Sequence, residues 1–218
     1  MKKSLLFLIV SVLCISLTSR KPKMNLEDIL SNATCDPPCW LGMTPGETTV
    51  EEAHQQLAAQ AGVINQERIF DISATEAYPE MIGFEVHFSE SQSYLYFENG
   101  RLSLIEIEVD DGKMEVENGV GLYGTPEEVI YQRISCPGRF FGDAICLQVL
   151  LHYPHKGLML SYEQSRDSNI LIVDPQEQID LVYFYAPGSD PFSELTFRLG
   201  GERVIDWPGY TEIVDIWN

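Results

Sequence analysis

Positively charged side chains are scarce in this chain of 218 residues: 14 lysines and arginines stand against 33 aspartates and glutamates, for a formal net charge of -19 at pH 7. A surface of that sign repels nucleic-acid phosphates and anionic lipid headgroups. The composition therefore argues against a nucleic-acid partner and against membrane binding through the folded surface. It favours a globular protein that stays in solution outside the cell.

Motifs for catalysis and for cofactor binding are also missing. The chain has no G-x-S-x-G turn, no phosphate-binding G-x-x-x-x-G-K-S/T loop and no G-x-G-x-x-G turn. Acidic residues are so numerous that any chosen carboxylate pair is uninformative, and the acidic stretch 108–119 lacks EF-hand spacing. We expect the four histidines to be solvated side chains: His54, His87, His152 and His155. The sequence predicts no catalytic residue, no cofactor and no metal site.

The only long apolar run lies at the N-terminus. Residues 5–17 follow two lysines and are too few for a comfortable membrane span, which needs about 20 residues. Small residues at 18 and 19 suit a cleavage site, so residues 1–19 are predicted to be a signal peptide. Three positive charges at 20–23 resist export, so an uncleaved N-terminal anchor stays the alternative. Leu13 before Cys14 disfavours lipidation. The predicted localisation is extracytoplasmic, either secreted or associated with the cell envelope.

Four cysteines remain after the signal region: Cys35, Cys39, Cys136 and Cys146. An even set behind an export signal predicts disulfides, and three pairings are open. We favour Cys35 with Cys39, across a ring stiffened by two prolines in the linker 20–42, and Cys136 with Cys146. Each short ring would stabilise the fold by about 2–3 kcal/mol. The spacings match neither a zinc site nor a C-x-x-C redox motif.

Two stretches share one pattern. Thr49 with Glu52 forms a capping box that predicts a helix to about residue 60. Thr125 with Glu128, and Pro at the first helical position, predicts a second helix. Three strand-like runs follow each helix: 81–88, 93–97 and 102–109 after the first, and 144–153, 158–162 and 178–186 after the second. A turn is predicted at Glu98-Asn99-Gly100.

These patterns predict an α+β fold made of two tandem helix–strand–strand–strand units, at 43–110 and 121–186. The sheet is predicted to be antiparallel, with each unit's helix covering its own sheet. Residues 187–218 are predicted to be an irregular tail with short helical pieces, packed on the core.

The stretch "CDPPCWLGMTPGETTVEEA" resembles the opening of a family of exported proteins, many of them lipoproteins, from filamentous environmental bacteria. "YGTPEEV" and "YPHKGLMLSY" resemble the second unit of that family. The resemblance implies export but carries no activity. At the level of fold, the units resemble small outer-membrane assembly lipoproteins and tandem-repeat inhibitors of β-lactamases, which hold protein partners.

The predicted function is a non-catalytic, extracytoplasmic partner- or ligand-binding module of the cell envelope, with an envelope protein as the expected partner. Contact with the membrane would come only through an uncleaved N-terminal segment. Two alternatives stay open. One is a secreted hydrolase that uses acidic residues, and the other is a protein inhibitor of an enzyme.

Overall fold

The structure is a computed structural model of the chain. It describes residues 30, 35–59, 64–71, 82–88, 91–109, 114–135, 145–164, 170–189, 202–214 and 216. These residues form two α-helices, α1 (Val50–Ala59) and α2 (Val116–Tyr123), and one 3-10 helix, Pro154–Lys156. The strands are β1 (Ile64–Asp71), β2 (Ile82–Phe88), β3 (Ser91–Glu98), β4 (Arg101–Glu108), β5 (Glu128–Ser135), β6 (Ile145–Tyr153), β7 (Leu158–Gln164), β8 (Ile170–Val173), β9 (Leu181–Tyr185), β10 (Arg203–Asp206) and β11 (Thr211–Val214).

Nine of these strands form one sheet in the order β1-β2-β3-β4-β9-β7-β6-β5-β10, and β11 pairs with β8 in a second, two-stranded sheet. Every pairing is antiparallel. The predicted α+β class with an antiparallel sheet is therefore confirmed. The prediction of two separately covered sheets is wrong, because β4 pairs with β9 and joins the two halves of the chain into one sheet.

Helix α1 begins as its capping box predicts. The amide N–H of Glu52 donates to Thr49 Oγ1 over 3.3 Å, and the Thr49 N–H donates to Glu52 Oε2 over 2.9 Å. These two bonds satisfy backbone donors that lack partners within the helix. Ala53 and Leu57 lie one turn apart on the buried side of α1 and pack into the core.

The second helix differs from the prediction. Thr125 and Pro126 lie in an irregular connection, and Glu128 begins β5 rather than a helix. Strand β5 is paired on both sides, by β6 and by β10, so sheet hydrogen bonds override the local capping pattern. The helix of this half is α2, which lies earlier in the chain. Its two glycines lower helix propensity, and burial of Val116 and Tyr123 stabilises it instead.

The main core covers one face of the large sheet, called here the core face. Alternate strand residues such as Phe84, Leu95 and Val149 point into it, and both helices contribute side chains.

The predicted turn after β3 is present, with Asn99 and Gly100 both at positive φ, as a tight hairpin requires. Gly157 has φ +57 and leads into β7; a Cβ there would lie 2.1 Å from the Tyr185 carbonyl oxygen.

Both ends of the described chain pack on this core. Cys35 and Cys39 form the predicted disulfide, and the adjacent Trp40 is fully buried. The predicted irregular tail is wrong in part, since β10 and β11 are strands that pair with β5 and β8. The predicted helical piece at 190–200 and the predicted signal peptide at 1–19 lie outside the described residues.

Candidate functional site

The second face of the large sheet, opposite the core face, carries most of the candidate chemistry. Residues that pair directly across antiparallel strands point to the same face. Successive pairings from β2 to β5 therefore place one row of side chains across seven strands of this face. The row reads Glu85, Tyr94, Glu106, Tyr183, Met159, His152 and Glu128.

The row ends at β5 in a carboxylate–imidazole–phenol contact. His152 Nδ1 lies 3.0 Å from Glu128 Oε2, and His152 Nε2 lies 2.6 Å from the Tyr185 hydroxyl. A carboxylate only accepts hydrogen bonds, so in the neutral imidazole Nδ1 donates to Glu128 and Nε2 accepts from Tyr185. Burial raises the pKa of Tyr185, and so do the Glu127 and Glu128 carboxylates. The phenol therefore stays protonated, which favours a structural contact over a nucleophile.

Two glutamines and a serine continue this end of the face. Gln132 Nε2 donates to Gln148 Oε1 over 2.7 Å, and Gln148 Nε2 donates to Ser161 Oγ over 3.2 Å. All three side chains are buried, and so are their apolar neighbours Ile130 and Leu150. Because these buried polar groups hydrogen-bond one another, we interpret their role in this part of the face as structural.

The other part of the face is different. Its polar residues on β3, β4 and β9 are called here the Tyr–Glu patch: Tyr94, Tyr96, Glu106, Glu108 and Tyr183. Tyr94 and Tyr96 are half-buried and stacked, with ring centroids 6.3 Å apart. Burial raises the pKa of Tyr94 to about 12, with the Glu108, Glu85 and Glu106 carboxylates adding to the shift. The patch thus presents neutral phenols beside carboxylates.

Glu106 lies at the centre of the patch, paired with Tyr94 on one side and Tyr183 on the other. Burial raises the pKa of Glu106 to about 7, and the adjacent Glu108 carboxylate adds to the shift. Across the part of the chain that the structure describes, no hydrogen bond or ion pair reaches the Glu106 side chain. A largely buried carboxyl with a strongly raised pKa and no hydrogen-bond partner is a candidate for a functional site.

The residues singled out from sequence are scattered. Cys35 and Cys39 are bonded, whereas Cys136 lies outside the described residues, so the Cys136–Cys146 pairing stays a prediction; Cys146 is disulfide-bonded. The expectation of a solvated His152 is wrong, because Glu128 and Tyr185 enclose it. His155 is exposed and lies 3.4 Å from a Glu127 oxygen, and His54 contacts the edge of the Phe84 ring.

Sequence reasoning missed the Tyr–Glu patch. The sequence places Tyr94 and Tyr96 two residues apart on one strand, and Glu106 and Glu108 two residues apart on another. Only the pairing register of β3 with β4 shows that the two pairs lie side by side. No three histidine, cysteine or acidic side chains among the described residues are placed to hold a metal ion. Over the same residues, no helix combines the length and the hydropathy that a membrane crossing requires.

Comparisons with known proteins add no relative: no protein-family model, no curated protein and no solved structure matches the chain.

Proposed function

We propose that this protein is a non-catalytic binding module of an extracytoplasmic compartment and that it binds its partner through the Tyr–Glu patch. The observation that carries the proposal is the contrast within one sheet face. Polar groups near β5 satisfy one another, whereas Glu106 in the patch has no partner among the described residues. Proteins retain such groups where a ligand completes the hydrogen bonding.

Sulfur chemistry supports the proposed compartment. The Cys35–Cys39 disulfide and the disulfide-bonded Cys146 favour an oxidising environment. Together with the apolar N-terminal run, they support export to the cell envelope or beyond. The resemblance of the stretch around this disulfide to exported bacterial proteins points the same way.

We further propose that the two halves derive from one duplicated α+β block. The strand order supports this, because β1-β2-β3-β4 is mirrored by β5-β6-β7-β9 about the β4–β9 contact, and a helix precedes each series. On this view the copies have diverged in function. One copy fills its second face with the His152 contact and the glutamine pair, and the other supplies most residues of the Tyr–Glu patch.

Site-specific photocrosslinking tests the binding function. A benzophenone amino acid replaces Tyr94 in the patch of the full chain, and a control replaces Leu122, which is exposed on α2. We expect a discrete crosslinked partner in envelope extract from position 94 only, and its loss when Glu106→Gln is added. Equal crosslinking from both positions, or none from position 94, would rule out the patch as a binding surface.

A secreted hydrolase is the second candidate, and one observation favours it. Glu106 and Glu108 lie two residues apart on one face of β4, roughly 6.6 Å along the strand. Because the pKa of Glu106 is raised to about 7, it could serve as an acid beside an ionised carboxylate. The two functions separate in one variant: Glu106→Gln would abolish turnover but keep substrate affinity in a hydrolase, whereas it would lower affinity in a binding module.

A further inference from the structure

The chemistry of the Tyr–Glu patch indicates what kind of ligand it takes. Tyr183 is only 3% exposed, yet no described residue hydrogen-bonds its hydroxyl. It pairs directly with Glu106, and its phenol lies in the field of four groups: Glu106, Tyr96, Glu163 and Asp180. The hydroxyl oxygen itself reaches solvent, although the rest of the side chain is buried. Its position beside Glu106 places a second polar group without a partner among the described residues in the same part of the face.

The charge around this phenol is negative from both strands that border β9. Glu106 lies on β4 and Glu163 on β7, and Asp180 comes directly before β9. The pKa of Glu106 is raised by burial and by Glu108, and no lysine or arginine in the described part of the chain offsets these effects. Burial raises the pKa of Tyr96 and of Tyr183 as well, so both phenols stay neutral and can accept a hydrogen bond.

A positively charged ligand would satisfy this arrangement, and the aromatic rings decide which kind. Half-buried tyrosine rings beside a carboxylate bind organic cations, because the ring faces attract a cationic group while the carboxylate accepts its N–H donors. A metal ion would need several oxygen ligands, and no such group is present among the described residues. The guanidinium is planar, weakly hydrated and rich in donors, so it suits a stacked pair of tyrosines best.

Resting on the proposed binding function, we infer that the Tyr–Glu patch binds a guanidinium or primary ammonium group, such as an arginine or lysine side chain of a partner, with Glu106 as its counter-ion and the Tyr183 hydroxyl as a further acceptor.

Titration of the full chain with single-charge probes tests this inference. The probes are Nα-acetyl-arginine methylamide, the lysine analogue, and the neutral isostere Nα-acetyl-citrulline methylamide, followed by NMR at physiological ionic strength to screen non-specific attraction. We expect the arginine probe to bind at least about tenfold more tightly than the citrulline probe, because only a cation completes the charge pairing. Its shifts should concentrate on β3, β4 and β9.

Matched variants locate the effect. Glu106→Gln should weaken the arginine probe about tenfold, and Tyr183→Phe should weaken it several-fold through loss of one acceptor. Glu98→Gln removes the same charge from the exposed end of β3 and should change nothing. Equal binding of the arginine and citrulline probes would overturn the inference, and so would equal losses in Glu106→Gln and Glu98→Gln. If Glu106→Gln fails to fold, Tyr183→Phe and the distribution of shifts decide.

The inference and the proposed function fail differently. A partner crosslinked from position 94, with no probe bound, would refute the cation and keep the binding function. Cation binding that spreads over the whole acidic surface would refute the site itself.

Discussion

The hydroxyl of Tyr185 on β9 lies 2.6 Å from His152 Nε2 on β6, although β7 runs between the two strands. The phenol thus crosses one strand to reach the imidazole, and Glu128 contacts the opposite ring nitrogen. This contact ties β9, β6 and β5 together on the second face.

Tyr185→Phe should lower the free energy of unfolding by about 1–2 kcal/mol, because it leaves a ring nitrogen of the buried His152 without its partner. Urea denaturation at pH 7 measures the change. Tyr210→Phe is the control. Because Tyr210 is 46% exposed, this variant should unfold with the same free energy as the wild type. Identical midpoints for Tyr185→Phe and the wild type would show that the contact contributes nothing to stability.

Glu106→Gln should change how stability depends on pH. The pKa of Glu106 is about 7 in the fold against 4.5 for the unperturbed side chain, so the folded state holds this proton more tightly than the unfolded state. The protonated Glu106 side chain therefore stabilises the fold fully below about pH 4.5, and this stabilisation is lost as the pH rises through about 7. Glutamine does not ionise, so the free energy of unfolding of the variant should exceed that of the wild type by roughly 1–3 kcal/mol at pH 8.

Chemical denaturation of both proteins at pH 5 and pH 8 gives the comparison. Other titrating groups are shared, so the difference between the two proteins isolates residue 106. A constant difference across this range would mean that the side chain is solvated.

Two glycines of α2 make a matched pair. A Cβ at Gly119 would lie 2.7 Å from Leu160 Cδ1 and 2.8 Å from Ile179 Cδ1, and both of those side chains are buried. Gly119→Ala should therefore destabilise by about 1–3 kcal/mol through overpacking. Nothing lies within 4 Å of a Cβ at Gly121, so Gly121→Ala should stabilise by about 0.5–1 kcal/mol through helix propensity.

Thermal melting of both alanine variants decides the matter. If Gly119→Ala melts at or above the wild-type temperature, α2 does not pack on β7 as closely as described.

Cys35→Ser should lower stability by about 2 kcal/mol, because the Cys35–Cys39 ring constrains only five residues of the unfolded chain. The measurement is the melting temperature under oxidising conditions. Cys39→Ser serves as the control, because it opens the same ring and leaves the disulfide at Cys146 intact, and it should match Cys35→Ser. No change in melting temperature without reductant would contradict the role of the ring.

The sequence predicted correctly the features that depend on residues close together in the chain. The Thr49–Glu52 capping box, the Asn99-Gly100 turn and the Cys35–Cys39 ring each involve neighbours in sequence, and each is present. Residues 125–128 show the limit of this approach. A capping pattern there precedes "EVIYQRIS", whose β-branched and aromatic residues suit a strand, and pairing with β6 and β10 decides between the two.

The Tyr–Glu patch lay beyond such reasoning for a different reason. Glu106 and Tyr183 are 77 positions apart, and only the β4–β9 register makes them a pair. Shifting that register by one residue would place Val182 or Phe184 beside Glu106 instead. Periodicity within one strand predicts which residues share a face, but it cannot predict which residue of a distant strand comes to lie opposite.

The short strand β10 has a consequence for how the protein behaves in concentrated solution. Among the described strands it is the outermost one, and it pairs with four residues of β5. Without it, the N–H and C=O groups of β5 would form a bare edge that accepts another chain. Removing residues 202–218 should therefore give self-association, visible by light scattering, even where the remaining sheet stays folded.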